Sequence, residues 1–219
     1  MNVPAETAHR DLMDANYRWM KYVYDITRPT FLLGRNRLLR HIIKSNPRTV
    51  LEIGIGTGRN LKKLAPKLTQ TKFYGSDISL EMLSYAKASF KRAGLLERIN
   101  AIEADGVPTF PSEMKFDVVF FSYSLSMIPD WKAALRNAAV LVDPQRGQLL
   151  MVDFGGFTKW PSPLASAFHR NMKSFHVTAR SEIGNFLIRD QTFSNWKNEC
   201  FNMGGDWAIM HILSPPKSA

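Results

Sequence analysis

Apolar and polar positions follow two periods along this chain, and the change between them organises it. Residues 6–24 read as a helix rich in aromatics, interrupted at Thr27-Arg28-Pro29, because proline disfavours helix in the residue before it. A basic helix runs from about Leu33 to Lys44 and stops near Asn46-Pro47. Short apolar runs then alternate with helical stretches. Thr49–Ile53 is a strand, and a helix covers about Gly58–Ala65. Lys72–Gly75 is the second strand, and a helix follows to Ala93 with Ser79 as N-cap. Ile99–Glu103 is the third strand. Phe116–Phe121 is the fourth, apolar throughout as a strand buried on both faces should be. A helix over Trp131–Leu141 and a fifth strand over Gly147–Val152 complete the alternation.

The tail has a different rhythm. Helical stretches at about 163–174 and 181–188 precede two strand-like runs, Phe193–Phe201 and Trp207–Leu213. Met203-Gly204-Gly205-Asp206 between them reads as a hairpin turn. Strands alternating with helices predict a parallel α/β sheet. Closed by an antiparallel hairpin, it becomes a mostly parallel seven-stranded sheet. That matches the Rossmann-like class I methyltransferase fold better than the nicotinamide-binding one. We expect a single domain over 1–219, with 1–46 as an N-terminal helical extension or lid and 47–219 as the catalytic core.

The end of the first strand carries the candidate chemistry. Glu52-Ile53-Gly54-Ile55-Gly56-Thr57-Gly58 runs into a helix, and glycines there let backbone approach a ligand at the positively polarised helix start. A dinucleotide fingerprint needs its third glycine one position later, where this chain has Arg59, so the spacing favours S-adenosylmethionine. Asp77 ends the second strand, where an acid can accept from both ribose hydroxyls. Asp105-Gly106 follows the third, where an acid can accept from the adenine amino group. Ile78 and Met82 are spaced to cover the base, and Glu52 and Ser122 complete the set. Singly, Asp77 also reads as a helix cap, Met82 as core and Asp105 as a turn former. Their shared position at the carboxyl ends of consecutive strands favours the ligand reading. S-adenosylmethionine, leaving as S-adenosylhomocysteine, is the expected cofactor, without a metal.

Charge adds a partner class. The net charge is +10, with six basic and no acidic residues from Ile26 to Leu51, and four basic and no acidic residues from Gly156 to Arg180. Such stretches attract nucleic acid, an anionic membrane or an acidic small molecule, or serve as a solvated face. No RNA-binding motif accompanies them, and nucleic acid is not expected. The N-terminus has no signal-peptide pattern, no run approaches a membrane span, and Cys200 is the single cysteine. The expected location is the cytoplasm, peripheral on the inner face of the membrane.

Four stretches resemble the bacterial N-methyltransferases of betaine-lipid synthesis. They are Tyr24-Asp25-Ile26-Thr27-Arg28-Pro29-Thr30-Phe31-Leu32-Leu33-Gly34-Arg35, Ser122-Tyr123-Ser124-Leu125-Ser126-Met127-Ile128-Pro129-Asp130-Trp131, Val152-Asp153-Phe154-Gly155 and Phe175-His176-Val177-Thr178-Ala179-Arg180. The resemblance covers about Asp11 to Leu213. In the family pattern a proline stands at Ala179, and an aromatic-led start to the last strand stands at Asp206-Trp207. The resemblance implies three successive methyl transfers to the amine of diacylglyceryl homoserine, a lipid met at an anionic membrane surface. Direct displacement at a methyl on positive sulfur needs mainly alignment, plus an unprotonated amine. Tyr24, Tyr123 and His176 are candidates to hold or deprotonate that amine, with Tyr123 first; Tyr24 alternatively reads as an interfacial aromatic and His176 as structural. Arg28, Arg35 and Arg180 are candidates for the homoserine carboxylate, and Arg28 or Arg35 equally for the cofactor's carboxylate. Leu164, Phe168, Met172 and Phe175, with Phe157, Trp160, Trp19 and Tyr22, could dip into an interface or simply pack on the core. The rival readings are a class I methyltransferase for another small amine, a quinone precursor or RNA, and a non-catalytic cofactor- or membrane-binding protein.

Overall fold

A computed structural model describes residues 32–174 and 177–217. The expected helix over 6–24 lies outside the described residues. Seven strands form one sheet: β1 (Thr49–Ile53), β2 (Lys72–Asp77), β3 (Ile99–Glu103), β4 (Val118–Ser122), β5 (Gln148–Phe154), β6 (Lys197–Met203) and β7 (Ala208–Ser214). The order is β3-β2-β1-β4-β5-β7-β6. The first five are parallel to one another, while β7 pairs antiparallel with both β5 and β6. The chain starts in the middle of the sheet, moves outward to β3, and returns across β1 to β4. The reversal between β1 and β4 opens a crevice at their carboxyl ends, where open α/β sheets take ligands.

Helices α1 (Arg35–Ser45), α2 (Arg59–Leu64) and α3 (Leu80–Arg92) cover one face; α4 (Trp131–Leu141) and α6 (Ile183–Arg189) cover the other. Strand β4 shows why its sequence is continuously apolar. Val118 and Phe120 enter the core with α1–α3, while Val119 and Phe121 enter the core with α4 and α6. Helix α1 is integral to that packing: Leu38 and Ile42 are fully buried and Leu39 nearly so. Ser79 caps α3, its hydroxyl accepting the Met82 N–H at 3.2 Å.

Two strand boundaries differ from the pattern. Strand β4 begins at Val118: the Asp117 N–H donates to the Thr49 hydroxyl at 3.0 Å, and Phe116 forms only an isolated bridge with Val142. Strand β6 begins at Lys197. Phe193, read as strand from its apolarity, sits buried in a tight turn instead and packs edge-on against Phe186 and Trp196. No helix among the described residues is long and apolar enough to cross a membrane.

Helix α5 (Ser162–Ser174) packs with the hairpin turn. Phe168 lies 4.8 Å from Phe157 and 5.0 Å from Trp207, ring centre to ring centre, and Met172 is buried. For Phe157, Phe168 and Met172 the core reading therefore holds over the interfacial one. Trp160 meets Trp207 edge-on and donates its indole N–H to the Gly204 carbonyl at 3.0 Å. Trp19, Tyr22 and Phe175 lie outside the described residues.

Asp206 fastens this corner. Buried and at φ 72°, it accepts from the N–H of Gly156 and Thr158, the Thr158 hydroxyl and the Asn202 amide. Its place at the start of the last strand, where the resemblance would put an aromatic, is thus explained by the turn it closes. Asp206→Ala orphans several buried donors and should cost about 3 kcal/mol. In a thermal melt that is a fall of about 10 °C; an unchanged melting temperature would show the network carries no stability.

Candidate active site

The glycine loop owes its path to side chains that crowd it. Gly54 has φ 77°, and a Cβ there would come within 2.5 Å of the Ser124 Cβ. Its N–H and that of Ile55 both donate to the Ser76 carbonyl, at 2.8 and 2.9 Å, which lashes the loop to the end of β2. Gly56, at φ 51°, donates its N–H to Asp77 Oδ2 at 2.7 Å. Any residue other than glycine would be strained along this path.

A cavity opens over the loop. Its lining includes Glu52, Gly54, Gly56, Asp77, Ile78, Met82, Asp105, Gly106 and Ser122, every expected cofactor residue except Gly58. Gly58 has a packing role instead. It caps the start of α2 at φ 72°, and a Cβ there would strike Phe90 at 2.3 Å. Beneath the loop, Glu52 is buried and accepts from the Asn60 amide at 2.7 Å. Asp77 is buried and also accepts the Ser79 N–H at 3.1 Å, so both its oxygens are oriented by backbone. Ile78, Met82 and Met127 form a small apolar cluster at one side. Asp105 stands exposed at the rim.

Sequence reasoning missed several lining residues: Leu32, Arg59, Asn60, Met127 and Ile128. A polar Asn60 one turn into an otherwise core-facing helix was the available signal. Met127 and Ile128 give none, since they read as ordinary apolar positions.

The residues expected to act on the acceptor fare differently. Arg35 is buried and lines the cavity from the first turn of α1. Tyr123 also lines it, at φ 59°, a strained conformation for an aromatic residue. Its hydroxyl donates to the Leu33 carbonyl, and burial pushes its pKa far above the ordinary phenol range. Tyr123 thus latches β4 to the segment leading into α1 while lining the cavity. Arg180 does not line the cavity: its guanidinium donates to the carbonyls of Leu125 at 3.3 Å and Ile128 at 3.0 Å. Those bonds hold it against the turn after β4. Tyr24, Arg28 and His176 lie outside the described residues. Among the described residues no three His, Cys, Asp or Glu side chains are grouped to hold a metal ion.

Residues 50–145 match a family model described as a methyltransferase domain. The curated relatives include a demethylmenaquinone methyltransferase from Corynebacterium urealyticum, 31% identical over 60% of this chain and 54% of that protein. A ubiquinone/menaquinone biosynthesis C-methyltransferase from Serratia proteamaculans is 25% identical over 72% of this chain and 60% of its own length. The chain thus matches little more than half the length of these relatives. Among solved structures, a SAM-dependent methyltransferase from Aquifex aeolicus superposes with a TM-score of 0.66 at 18% identity, covering 90% of this chain and 96% of that one. The plantazolicin methyltransferase BpumL, solved with an analogue and SAH, superposes with a TM-score of 0.68 at 13% identity, covering 96% and 98%.

This chain has the Rossmann-like fold of class I methyltransferases.

The cavity fits the cofactor of that class, S-adenosylmethionine, on its own chemistry. Asn60 Oδ1 and Ser122 Oγ are buried without a hydrogen-bond partner, and both residues line the cavity. Buried polar atoms of that kind call for a ligand or water. Asp77 lines the cavity with its oxygens oriented by backbone N–H groups, and a carboxylate so placed suits a ribose diol. Asp77→Ala should weaken cofactor binding about a hundredfold, the loss of about 3 kcal/mol from two bonds to a charged acceptor. Calorimetry with S-adenosylhomocysteine checks this; near-normal affinity in a folded variant contradicts the ribose role.

Proposed function

We propose that this chain transfers the methyl of S-adenosylmethionine to the amine of an amino-acid-headed lipid, diacylglyceryl homoserine, in successive steps. One observation carries the acceptor. The four stretches that resemble betaine-lipid N-methyltransferases are scattered over the sequence, yet their described parts converge on one wall of the cavity. Leu32 and Arg35 come from the first, and Ser122, Tyr123, Ser124, Met127 and Ile128 from the second; all line the cavity. Asp153 of the third accepts the Ser126 N–H, and Thr178 of the fourth donates its N–H to Ser126 O. This wall adjoins the residues that suit the cofactor, Met127 meeting Ile78 and Met82, so an acceptor held against it would lie beside the cofactor.

The cofactor, when bound, supplies a methyl on positive sulfur, whose departure needs no acid. The protein's part is alignment and exclusion of water. The Ile78–Met82–Met127 cluster and the Tyr123 ring give the cavity an apolar side, and Arg35 offers a guanidinium for a carboxylate. The acceptor amine reacts as its free base.

A second reading follows from the quinone-pathway relatives: methylation of a ring carbon on a quinone precursor. Incubation with methyl-labelled cofactor separates the two. Label in mono-, di- or trimethylated homoserine lipid is expected; label only in a demethylmenaquinone-type acceptor would move the assignment.

The membrane is the proposed partner. Arg37, Arg40 and Lys44 stand exposed along α1 and line a groove with His41 beside β6 and β7, and the Arg37 guanidinium lies 3.9 Å from the Phe201 ring centre. Each basic residue near an anionic surface contributes about 1 kcal/mol. The triple change Arg37→Glu, Arg40→Glu, Lys44→Glu should lower affinity for phosphatidylserine-containing vesicles by about a hundredfold or more. Binding by the unaltered chain should weaken with salt. Salt-insensitive or absent co-sedimentation would remove α1 as the contact.

A further inference from the structure

Two charged side chains near the cavity have no place in its lining. After β4 the chain makes a short turn, with the Met127 and Ile128 N–H groups donating to the Ser124 carbonyl at 3.0 and 3.2 Å. One side of this turn faces the cavity through Tyr123, Ser124, Met127 and Ile128. Other groups grip it from elsewhere in the chain. Asp153, at the end of β5 and 2% exposed, accepts the Ser126 N–H on Oδ2 at 3.0 Å and the Phe154 N–H on Oδ1 at 2.8 Å. Arg180 donates to the Leu125 and Ile128 carbonyls, and its guanidinium carbon lies 6.0 Å from the Trp131 ring centre. The Thr178 N–H donates to Ser126 O at 2.9 Å.

This is a costly way to hold a turn. A carboxylate withdrawn from water pays a desolvation penalty that its partners only partly offset, and burial pushes Asp153 up to about 6. The charged groups near it are Arg180, which favours its ionised form, and Tyr123, whose own ionisation it opposes. An asparagine would avoid the charge. It would also set an amide N–H₂ against a backbone N–H, since both Asp153 oxygens accept from backbone. The turn so held includes Met127, which packs with Ile78 and Met82, and follows Tyr123 at its strained φ of 59°.

We propose that Asp153 and Arg180 are positioning residues for methyl transfer: from behind the turn they fix the height of Tyr123, Met127 and Ile128, the wall against which the acceptor is aligned. The proposal rests on the reading of this cavity as the methyl-transfer site. Neither residue lines the cavity itself, so both act more on the rate with bound acceptor than on cofactor affinity. A misplacement of about 1 Å in such a wall costs about a hundredfold in rate.

The test uses the full chain and three variants, Asp153→Asn, Arg180→Lys and Arg180→Ala, with two readouts. The first is the ¹³C-methyl resonance of Met127, assigned by its loss in Met127→Leu. In the unaltered chain it should titrate with a midpoint near pH 6, and in Asp153→Asn it should be shifted and flat. The second is kinetics: kcat should fall between about tenfold and a hundredfold in Asp153→Asn and Arg180→Ala, with S-adenosylhomocysteine affinity unchanged by calorimetry. Arg180→Lys should recover part of the loss. A Met127 signal indifferent to pH and to both substitutions overturns the proposal, even where the unaltered chain turns over. So does a loss of cofactor affinity in step with kcat. If the unaltered chain methylates none of the acceptors tried while Met127 titrates as expected, the acceptor assignment fails and the grip on the turn stands.

Discussion

The close passage of two strand ends is the constraint on which the rest of this molecule depends. At the carboxyl end of β1 the chain must turn beneath the end of β4, and Ser124 fills the space where a side chain on Gly54 would be. Two hydrogen bonds to Ser76 pull the same loop toward β2. The glycine loop is thus fixed between its two neighbouring strands, and the cavity is the volume it leaves above. The glycines serve different ends. Gly54 and Gly56 let backbone line the cavity, whereas Gly58 makes room for Phe90 and ties α2 to α3. One short motif therefore carries a ligand-facing role and a packing role, and spacing alone does not divide them.

From that passage the site separates into two walls of different character. The wall over β1–β3 is built from backbone and from acids whose orientation backbone hydrogen bonds enforce, as at Asp77. Groups held so firmly suit a cofactor that is the same in every turnover. The wall after β4 is a turn under strain at Tyr123, latched to Leu33 on one side and gripped by Asp153 and Arg180 on the other. Its contacts come from the start of α1, the end of β5 and the segment before α6. Changes far apart in sequence can therefore reshape this wall more than the one over β1–β3.

Much of the order of elements was legible because each strand of a covered parallel sheet must be apolar on both faces, while each helix buries one stripe. β1, β3 and α4 begin and end where the pattern predicts. The pattern fails where apolarity has another cause. Phe193 looks like strand because it is buried, but it is buried in a turn. Phe157, Phe168 and Met172 look amphipathic enough to meet a membrane, yet their partners are Trp207 and one another. A helical apolar stripe states that something covers it and not what.

The sequence by itself determined the sheet and its helices, the glycine loop and the acids at successive strand ends, because these follow from local period and from a spacing that backbone geometry imposes. It also held the stretches that suggest an acceptor. Only the tertiary structure decided what the polar residues outside the loop do. Arg180 reads as a cation for a carboxylate, and the fold sets it on two backbone carbonyls; Tyr123 reads as a group for the amine, and the fold ties its hydroxyl to Leu33. Met127 and Ile128 join the cavity without any local signal. The reason is physical: a side chain's hydrogen-bond partner is set by which distant backbone comes within about 3 Å of it, and no periodicity in the chain encodes that distance.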